Sequence, residues 1–262
     1  MLGEGGVFFL ICDIVLDMDK SLEYAKESIL NCQRILNSVD DSLIGDATEL
    51  EKIIPLLGLN GELLYQQPEE LGQYYGTGLH IWQYPNQLSK YFSYLNTNST
   101  IINSYLEIGT RWGGTLVATV EYLIRIGCEI TKVATCDTIK ESNLITAFRE
   151  LHPEIEFHYL QKDSTSQDFK DFCSSFVADL VLIDGDHSYE GVKNDFFTVK
   201  NTSKIIVQHD VANLAPECRG TVAFWKETKS NYSDGLEVFE FIDQYDSVDG
   251  SYLGIGVLKI KD

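Results

Sequence analysis

The sequence predicts an α/β fold: a doubly wound, mostly parallel sheet closed by a C-terminal β-hairpin, behind a helical N-terminal extension. Three observations predict it. From about Thr100 onward, short β-branched runs alternate with helical patterns, which is the signature of βαβ units. The last two β runs are joined only by a polar turn, so they pair antiparallel. Before Thr100 the apolar spacing is helical, with no comparable strand runs.

Taken in order, Leu22, Ala25, Ile29, Cys32, Ile35 and Leu36 recur at helical spacing between Ser21 and Val39. A second short helix is expected over 47–57, kinked or ended near Pro55 and Gly58. An aromatic, Gly-rich stretch follows from Gly72, and Pro85 opens a helix carrying Leu88, Tyr91, Phe92 and Leu95. Five strands are expected at 103–108, 132–137, 156–160, 179–184 and 204–209, with helices at 114–126, 142–151, 167–176 and 189–199 between them. A helix at 221–229 and strands at 236–242 and 252–260 complete the chain. Residues 1–98 therefore read as the extension, a candidate lid over an acceptor, and 99–262 as the cofactor-binding domain.

Of 262 residues 44% are apolar, enough for a full core. The formal charge of −20 is spread along the chain, with 5 basic and 14 acidic residues in 1–100 and 15 and 26 in the remainder. Such a surface repels phosphate backbones and argues against a nucleic-acid partner, while solubility accounts for most of the charge. Six cysteines (Cys12, Cys32, Cys128, Cys136, Cys173, Cys218) include no Cys-x-x-Cys pair, which suits reduced thiols and a cytoplasmic protein. The apolar run 7–16 is broken by Asp13, is too short to span a bilayer and lacks a basic flank, so neither a membrane anchor nor a secretory signal is expected. Met18 is an alternative start. Self-association into a homo-oligomer is left open.

Ligands of open α/β sheets bind beyond the carboxyl ends of the strands, at the point where strand order reverses. The first strand ends in Tyr105-Leu-Glu-Ile-Gly-Thr-Arg-Trp-Gly-Gly-Thr115, where Gly109, Gly113 and Gly114 allow a tight turn and close backbone approach. Glu107 would repel a pyrophosphate but suits a cofactor with a cationic amino group and sulfonium. The full G-x-G-x-x-G of dinucleotide enzymes is absent, which disfavours a nicotinamide dehydrogenase. Asp137 ends the second strand, where it can accept ribose hydroxyls or cap the following helix. Asp163 and Ser164 follow the third strand, as adenine partners or as a polar loop and N-cap. The fourth strand, Asp179-Leu-Val-Leu-Ile-Asp-Gly-Asp-His-Ser-Tyr-Glu190, delivers Asp184 and His187. The fifth, Ile205-Ile-Val-Gln-His-Asp210, delivers His209 and Asp210. Acids and histidines at buried strand ends are costly unless an ion or a proton-transfer role compensates them. Asp184, His209 and Asp210 are thus candidate ligands of one divalent cation.

At these residues the chain resembles the class I S-adenosylmethionine-dependent methyltransferases, in the branch with cephalosporin-hydroxylase-like and macrolide-sugar O-methyltransferases. The similarity runs from Asn103 to Ile260. It rests on Leu-Glu-Ile-Gly-Thr-x-x-Gly-Gly, on Ile-Asp-Gly-Asp-His-Ser-Tyr-Glu-Gly-Val, on His-Asp after the fifth strand and on Arg219-Gly-Thr-Val-Ala-Phe-Trp225. The resemblance implies a Rossmann-like seven-stranded methyltransferase sheet. It implies that Glu107, Gly109, Thr110, Arg111 and Gly113 hold the methionine part of S-adenosyl-L-methionine, and that Asp137 holds the ribose. Asp184 would bind Mg²⁺, and His187 would be the general base. An acidic pair of the metal-dependent members corresponds to His209 and Asp210; the imidazole favours Mn²⁺, Fe²⁺ or Zn²⁺ over Mg²⁺.

The activity so implied is methyl transfer to a hydroxyl of a small molecule such as a sugar, polyketide or other natural product. Tyr74, Tyr75, Trp82 and Tyr84 are candidates for an acceptor-stacking wall, or alternatively for packing of the extension. His187, near its ordinary pKa of about 6.5, suits a base at neutral pH, and protonation of a ligating imidazole near pH 6 would release the ion. Two other readings stand beside this one: a metal-independent methyltransferase of the same fold, and a non-catalytic cofactor-binding module.

Overall fold

The computed structural model describes residues 21–62 and 64–261. The apolar run 7–16, Cys12 and the alternative start at Met18 lie outside the described residues. Helices α1 (Leu22–Ser38), α2 (Ala47–Ile53) and α3 (Pro85–Thr97) precede the sheet. Then β1 (Ser104–Ile108), β2 (Lys132–Asp137), β3 (Glu156–Gln161), β4 (Leu180–Ile183) and β5 (Ile205–His209) alternate with α4 (Gly114–Arg125), α5 (Asn143–Leu151), α6 (Gln167–Ser175) and α7 (Tyr189–Val199). Helix α8 (Arg219–Asn231) leads into β6 (Leu236–Phe241) and β7 (Ile255–Ile260). The seven strands lie in the order β3-β2-β1-β4-β5-β7-β6, with β1 to β5 parallel and β7 antiparallel to both its neighbours. This is the predicted α/β methyltransferase sheet.

Differences from the expected boundaries have local causes. The helix expected over 47–57 changes at Ile54 to a 3-10 turn through Leu57, because Pro55 cannot supply an N–H to the α ladder. The last strand begins at Ile255 rather than 252, after left-handed backbone at Gly250, Leu253 and Gly254. Helix α8 starts two residues early, from a 3-10 turn over Pro216–Cys218.

Successive residues of a strand face opposite sides of the sheet, and two cores follow from that period. Tyr105, Val133, Leu180, Leu182 and Val207 join one core with Ile29 and Leu36 of α1, Tyr91, Phe92 and Leu95 of α3, and Val117 and Tyr122 of α4. Leu106, Ala134, Val181 and Ile206 join the other with Phe169, Phe196, Phe224 and Trp225 from α6, α7 and α8. The N-terminal helices therefore cover one face of the sheet, with Phe92 stacked on Tyr122 at 4.4 Å between ring centroids. Burial on both faces is why β4 and the start of β5 read as continuous apolar runs.

The connection after β1 runs to one face and that after β4 to the other, so a crevice opens between their carboxyl ends. Gly109 closes its floor. Its φ is +84°, and a Cβ there would lie 2.1 Å from the Asp184 carbonyl oxygen. Only glycine lets the two strand ends approach this closely.

Candidate active site

A single cavity of about 820 Å³ fills this crevice, within the range of small-molecule sites. Every cofactor, catalytic and metal candidate read from the sequence lines it except Gly113, which instead caps the N-terminus of α4.

At the β1 end, Glu107 is 1% exposed. Its carboxyl group accepts the Tyr105 hydroxyl at 2.5 Å and the Thr110 hydroxyl at 2.7 Å. Burial pushes its pKa up to about 8, beyond what those two hydrogen bonds offset, with the nearby Asp184 charge adding to the rise. A cationic group in the cavity would compensate that carboxylate, so the site fits a sulfonium and amino-bearing cofactor. Thr110 holds Glu107, and the Arg111 side chain turns away: it pairs with Glu62 at 2.6 Å and lies over Trp82 and Trp112.

Asp137 does not cap the next helix; Ser142 does. Its two oxygens accept the backbone N–H of Arg111 at 2.6 Å and of Ile139 at 3.1 Å, which fixes the carboxylate at the cavity wall. Asp163 likewise is no cap. One of its oxygens takes both the N–H and the hydroxyl of Thr165, lowering its pKa, while Ser166 caps α6. Burial pushes the pKa of Asp195 up to about 6, a rise that the neighbouring Ser164 side chain offsets in part.

At the ends of β4 and β5 the predicted acids and histidines converge. Asp184 Oδ1 lies 3.0 Å from His209 Nδ1 and 3.2 Å from His187 Nε2. Asp210 Oδ2 lies 3.5 Å from His187 Nε2, and its Oδ1 is 3.4 Å from His209 Nδ1. Asn213 donates to Asp210 Oδ1 at 2.8 Å. One ligand atom from each of Asp184, His209 and Asp210 falls within 4.8 Å of the others. His209 Nδ1 is within ion-pair distance of both carboxylates yet off the line of any hydrogen bond, and it has no hydrogen-bond partner. A buried nitrogen aimed between two carboxylates, itself unsatisfied, is the arrangement a divalent cation fits.

The electrostatics correct the expected acid–base behaviour. Burial by itself would lower the His187 pKa, but its hydrogen bonds to Asp184 and Cys218 and the charges of Asp184 and Asp210 lift it to about 11. His209 is raised for the same reason, against its burial, by Asp184 and Asp210. Burial would raise both aspartates; the two imidazoles outweigh it and hold them below the usual range. Without a cation, His187 is thus a stored imidazolium at neutral pH rather than a base near 6.5.

Several lining residues had no sequence signal. Cys218, just before α8, stands 3.2 Å from Asp210 Oδ2 and 3.4 Å from His187 Nδ1. Asn60, Gln66 and His80 join the expected Trp82 in the wall contributed by the N-terminal extension. Of the four aromatics expected there, Trp82 alone lines this cavity. Tyr74 and Tyr75 pack against the core, and Tyr84 packs edge-on to Tyr245 and hydrogen-bonds the Gln66 carbonyl.

Residues 106–211 match the model of a family described as a methyltransferase domain. The O-methyltransferase TomG of Streptomyces achromogenes, involved in tomaymycin synthesis and solved with S-adenosylmethionine, superposes with a TM-score of 0.50 at 15% identity, over 82% of this chain and 96% of that one. An O-methyltransferase of Bacillus cereus, solved with S-adenosylhomocysteine, gives 0.45 at 14% identity over 85% and 92%. The methyltransferase MycE of the mycinamycin pathway, solved with Mg, S-adenosylhomocysteine and mycinamycin VI, gives 0.42 at 15% identity over 65% and 48%. No curated protein matches the chain in sequence. Family match and sheet order agree: residues 106–211 carry a methyltransferase domain, on a seven-stranded sheet of the α/β methyltransferase fold.

Proposed function

We propose that the chain is an O-methyltransferase of the branch with macrolide-sugar enzymes, acting on a hydroxyl of a small sugar, polyketide or related natural product with help from a divalent cation. The observation that carries this reading is the continuity of the cavity. One volume joins Glu107 and Asp137, at the ends of β1 and β2, to the cluster of Asp184, His187, His209 and Asp210. S-adenosylmethionine supplies the methyl group there, and a cation, Mn²⁺ or Mg²⁺, supplies the positive charge that acidifies the acceptor hydroxyl.

Glu107 and the β1 turn hold the methionine end, Asp137 the ribose, and Asp163 and Ser164 the adenine edge. Asp184, His209 and Asp210 hold the cation. Once their charge is balanced, Asp184 and Asp210 no longer lift the His187 pKa, and Nε2 becomes free to take the hydroxyl proton. The opposite ring nitrogen faces Cys218, so Nε2 is the one that opens toward the acids and the cavity. Trp82, with Asn60, Gln66 and His80, walls the acceptor side. The described cysteines are all free and buried, in keeping with a reduced cytoplasmic enzyme.

The test is turnover on a panel of hydroxylated natural products, with the small molecules that copurify identified by mass spectrometry. Activity that EDTA abolishes and Mn²⁺ or Mg²⁺ restores supports the reading. Activity untouched by exhaustive chelation overturns the metal part and leaves a metal-independent methyltransferase. That second reading has one observation in its favour: two imidazoliums already balance Asp184 and Asp210.

A further inference from the structure

We propose that Gln83, from the N-terminal extension, is a positioning residue that locks His209 as its Nε2–H tautomer, leaving Nδ1 as the only nitrogen it can present to a cation. The inference rests on the reading of Asp184, His209 and Asp210 as a cation site. It follows from donor and acceptor matching, starting at backbone groups whose roles are fixed. Gln87, in the first turn of α3 and fully buried, faces three backbone groups of the segment joining β6 to β7. The Gly254 N–H lies 2.9 Å from one end of its amide. The carbonyls of Asp243 and Tyr252 lie 2.7 and 3.4 Å from the other. An N–H can only donate and a carbonyl only accept, so Oε1 of Gln87 faces Gly254 and its NH₂ faces the carbonyls.

The remaining links follow from that. Gln83, 4% exposed, is hydrogen-bonded to Gln87 Oε1 and therefore turns its own NH₂ toward it. Its Oε1 is then the atom hydrogen-bonded to His209 Nε2, and an oxygen there demands a proton on that nitrogen. The proton on Nε2 is thus dictated by the backbone at Gly254 and Asp243, through two buried amides. A neutral imidazole so held carries its lone pair on Nδ1, the nitrogen that sits between Asp184 and Asp210 without a hydrogen-bond partner. Three stretches far apart in sequence meet in this relay: the extension, the end of β5 and the β6–β7 connection. Each is needed before His209 presents the right nitrogen.

The test uses the full chain, stripped of metal, with Zn²⁺ and Mn²⁺ as probes. In ¹⁵N-histidine spectra of the wild type, Zn²⁺ is expected to shift His209 Nδ1 while Nε2 keeps its proton. Gln83→Met removes the acceptor, and Gln87→Met frees the Gln83 amide to flip. Both should weaken Zn²⁺ and Mn²⁺ by about 10- to 100-fold, as loss of a partner behind a metal-binding histidine does. S-adenosylhomocysteine affinity should stay within about twofold in both, since the Glu107 end is separate. Wild-type protein carrying Zn²⁺ on Nε2, or variants that bind both ions as well as wild type, would overturn the lock. Should Gln83→Met not fold, the wild-type spectra and Gln87→Met still decide it. Wild type that takes up neither ion, yet protonates only Nε2 in its neutral ring, would sink the cation reading and uphold the lock.

Discussion

Glu107 and His187 are acid–base groups whose surroundings reverse what their free values suggest. Glu107 has a pKa of about 8 where an exposed glutamate would ionise near 4.5, because burial opposes its charge. Between those values the folded chain holds a proton that the unfolded chain has lost, so stability falls as pH rises from about 4.5 to about 8. Glu107→Gln should flatten that fall in thermal melts from pH 5 to 9. The same variant should bind S-adenosylhomocysteine about 10- to 100-fold more weakly by calorimetry, the cost of a lost charge-assisted hydrogen bond of about 1.5–3 kcal/mol. An unchanged melt profile and affinity would place the cofactor's cationic end elsewhere. The pKa values of the histidines are likewise raised, here by Asp184 and Asp210 against their burial, so protons compete with the cation well above neutrality. Cation affinity should therefore keep climbing through pH 7 and 8, instead of levelling off just above 6, and uptake at pH 7 should release protons. Calorimetry in two buffers of different ionisation enthalpy measures that release; none at pH 7 would contradict the raised values. These shifts were not legible in the sequence, which places Asp184, His187, His209 and Asp210 at strand ends but says nothing of their mutual distances.

At the scale of elements, the strand ends were the legible part. The short apolar runs of β1, β4 and β5, ended by Gly, Asp or His, mark where each strand leaves the sheet, and Asp184, His209 and Asp210 do line the crevice. What periodicity does not carry is irregular backbone. The 3-10 turns over Leu64–Gln66 and Glu69–Tyr74 have no repeating apolar face, and Gln66 and Gln83 read as ordinary polar residues until the fold buries them. The close approach of the carboxyl ends of β1 and β4 rests on Gly109, and this is testable against a control. Gly109→Ala introduces both a strained φ of +84° and a Cβ 2.1 Å from the Asp184 carbonyl oxygen, whereas Gly127→Ala meets a φ of +87° with nothing within 4 Å. Gly127→Ala should cost about 1–2 kcal/mol, the strain of a left-handed residue. Gly109→Ala should cost about 1–3 kcal/mol more for the clash and abolish cofactor binding, because the strand ends must part. Equal losses of stability in urea titrations of the two variants would show that the close approach is unimportant.

The whole molecule joins its N-terminal helices and its sheet through one core, and that bears on how the extension contributes. Ile29, Leu36, Leu88, Tyr91, Phe92 and Leu95 share a cluster with Tyr105, Tyr122, Val133, Leu180 and Val207, so the helices before Ser99 are the covering layer of one face of the sheet. In sequence the change of texture at Thr100 reads as a boundary, since helical periodicity gives way to strands there. The shared core is invisible to periodicity because each segment shows only its own apolar face, never the partner it meets. A chain beginning at Ser99 would leave that face bare. Fully burying a large apolar side chain contributes about 1.5–3 kcal/mol, so the loss of only six such partners removes roughly 10 kcal/mol or more. Whole domains are stable by about 5–15 kcal/mol. The truncated chain is therefore expected to lose its cooperative thermal transition and to bind no S-adenosylhomocysteine, as circular dichroism and calorimetry would report. Trp82→Ala leaves this core intact, because Trp82 faces the cavity beside Arg111, and it should retain both the transition and cofactor affinity within about twofold while raising KM for the acceptor. A soluble fragment from Ser99 that melts cooperatively and binds S-adenosylhomocysteine would defeat the shared core and make the extension a separable lid.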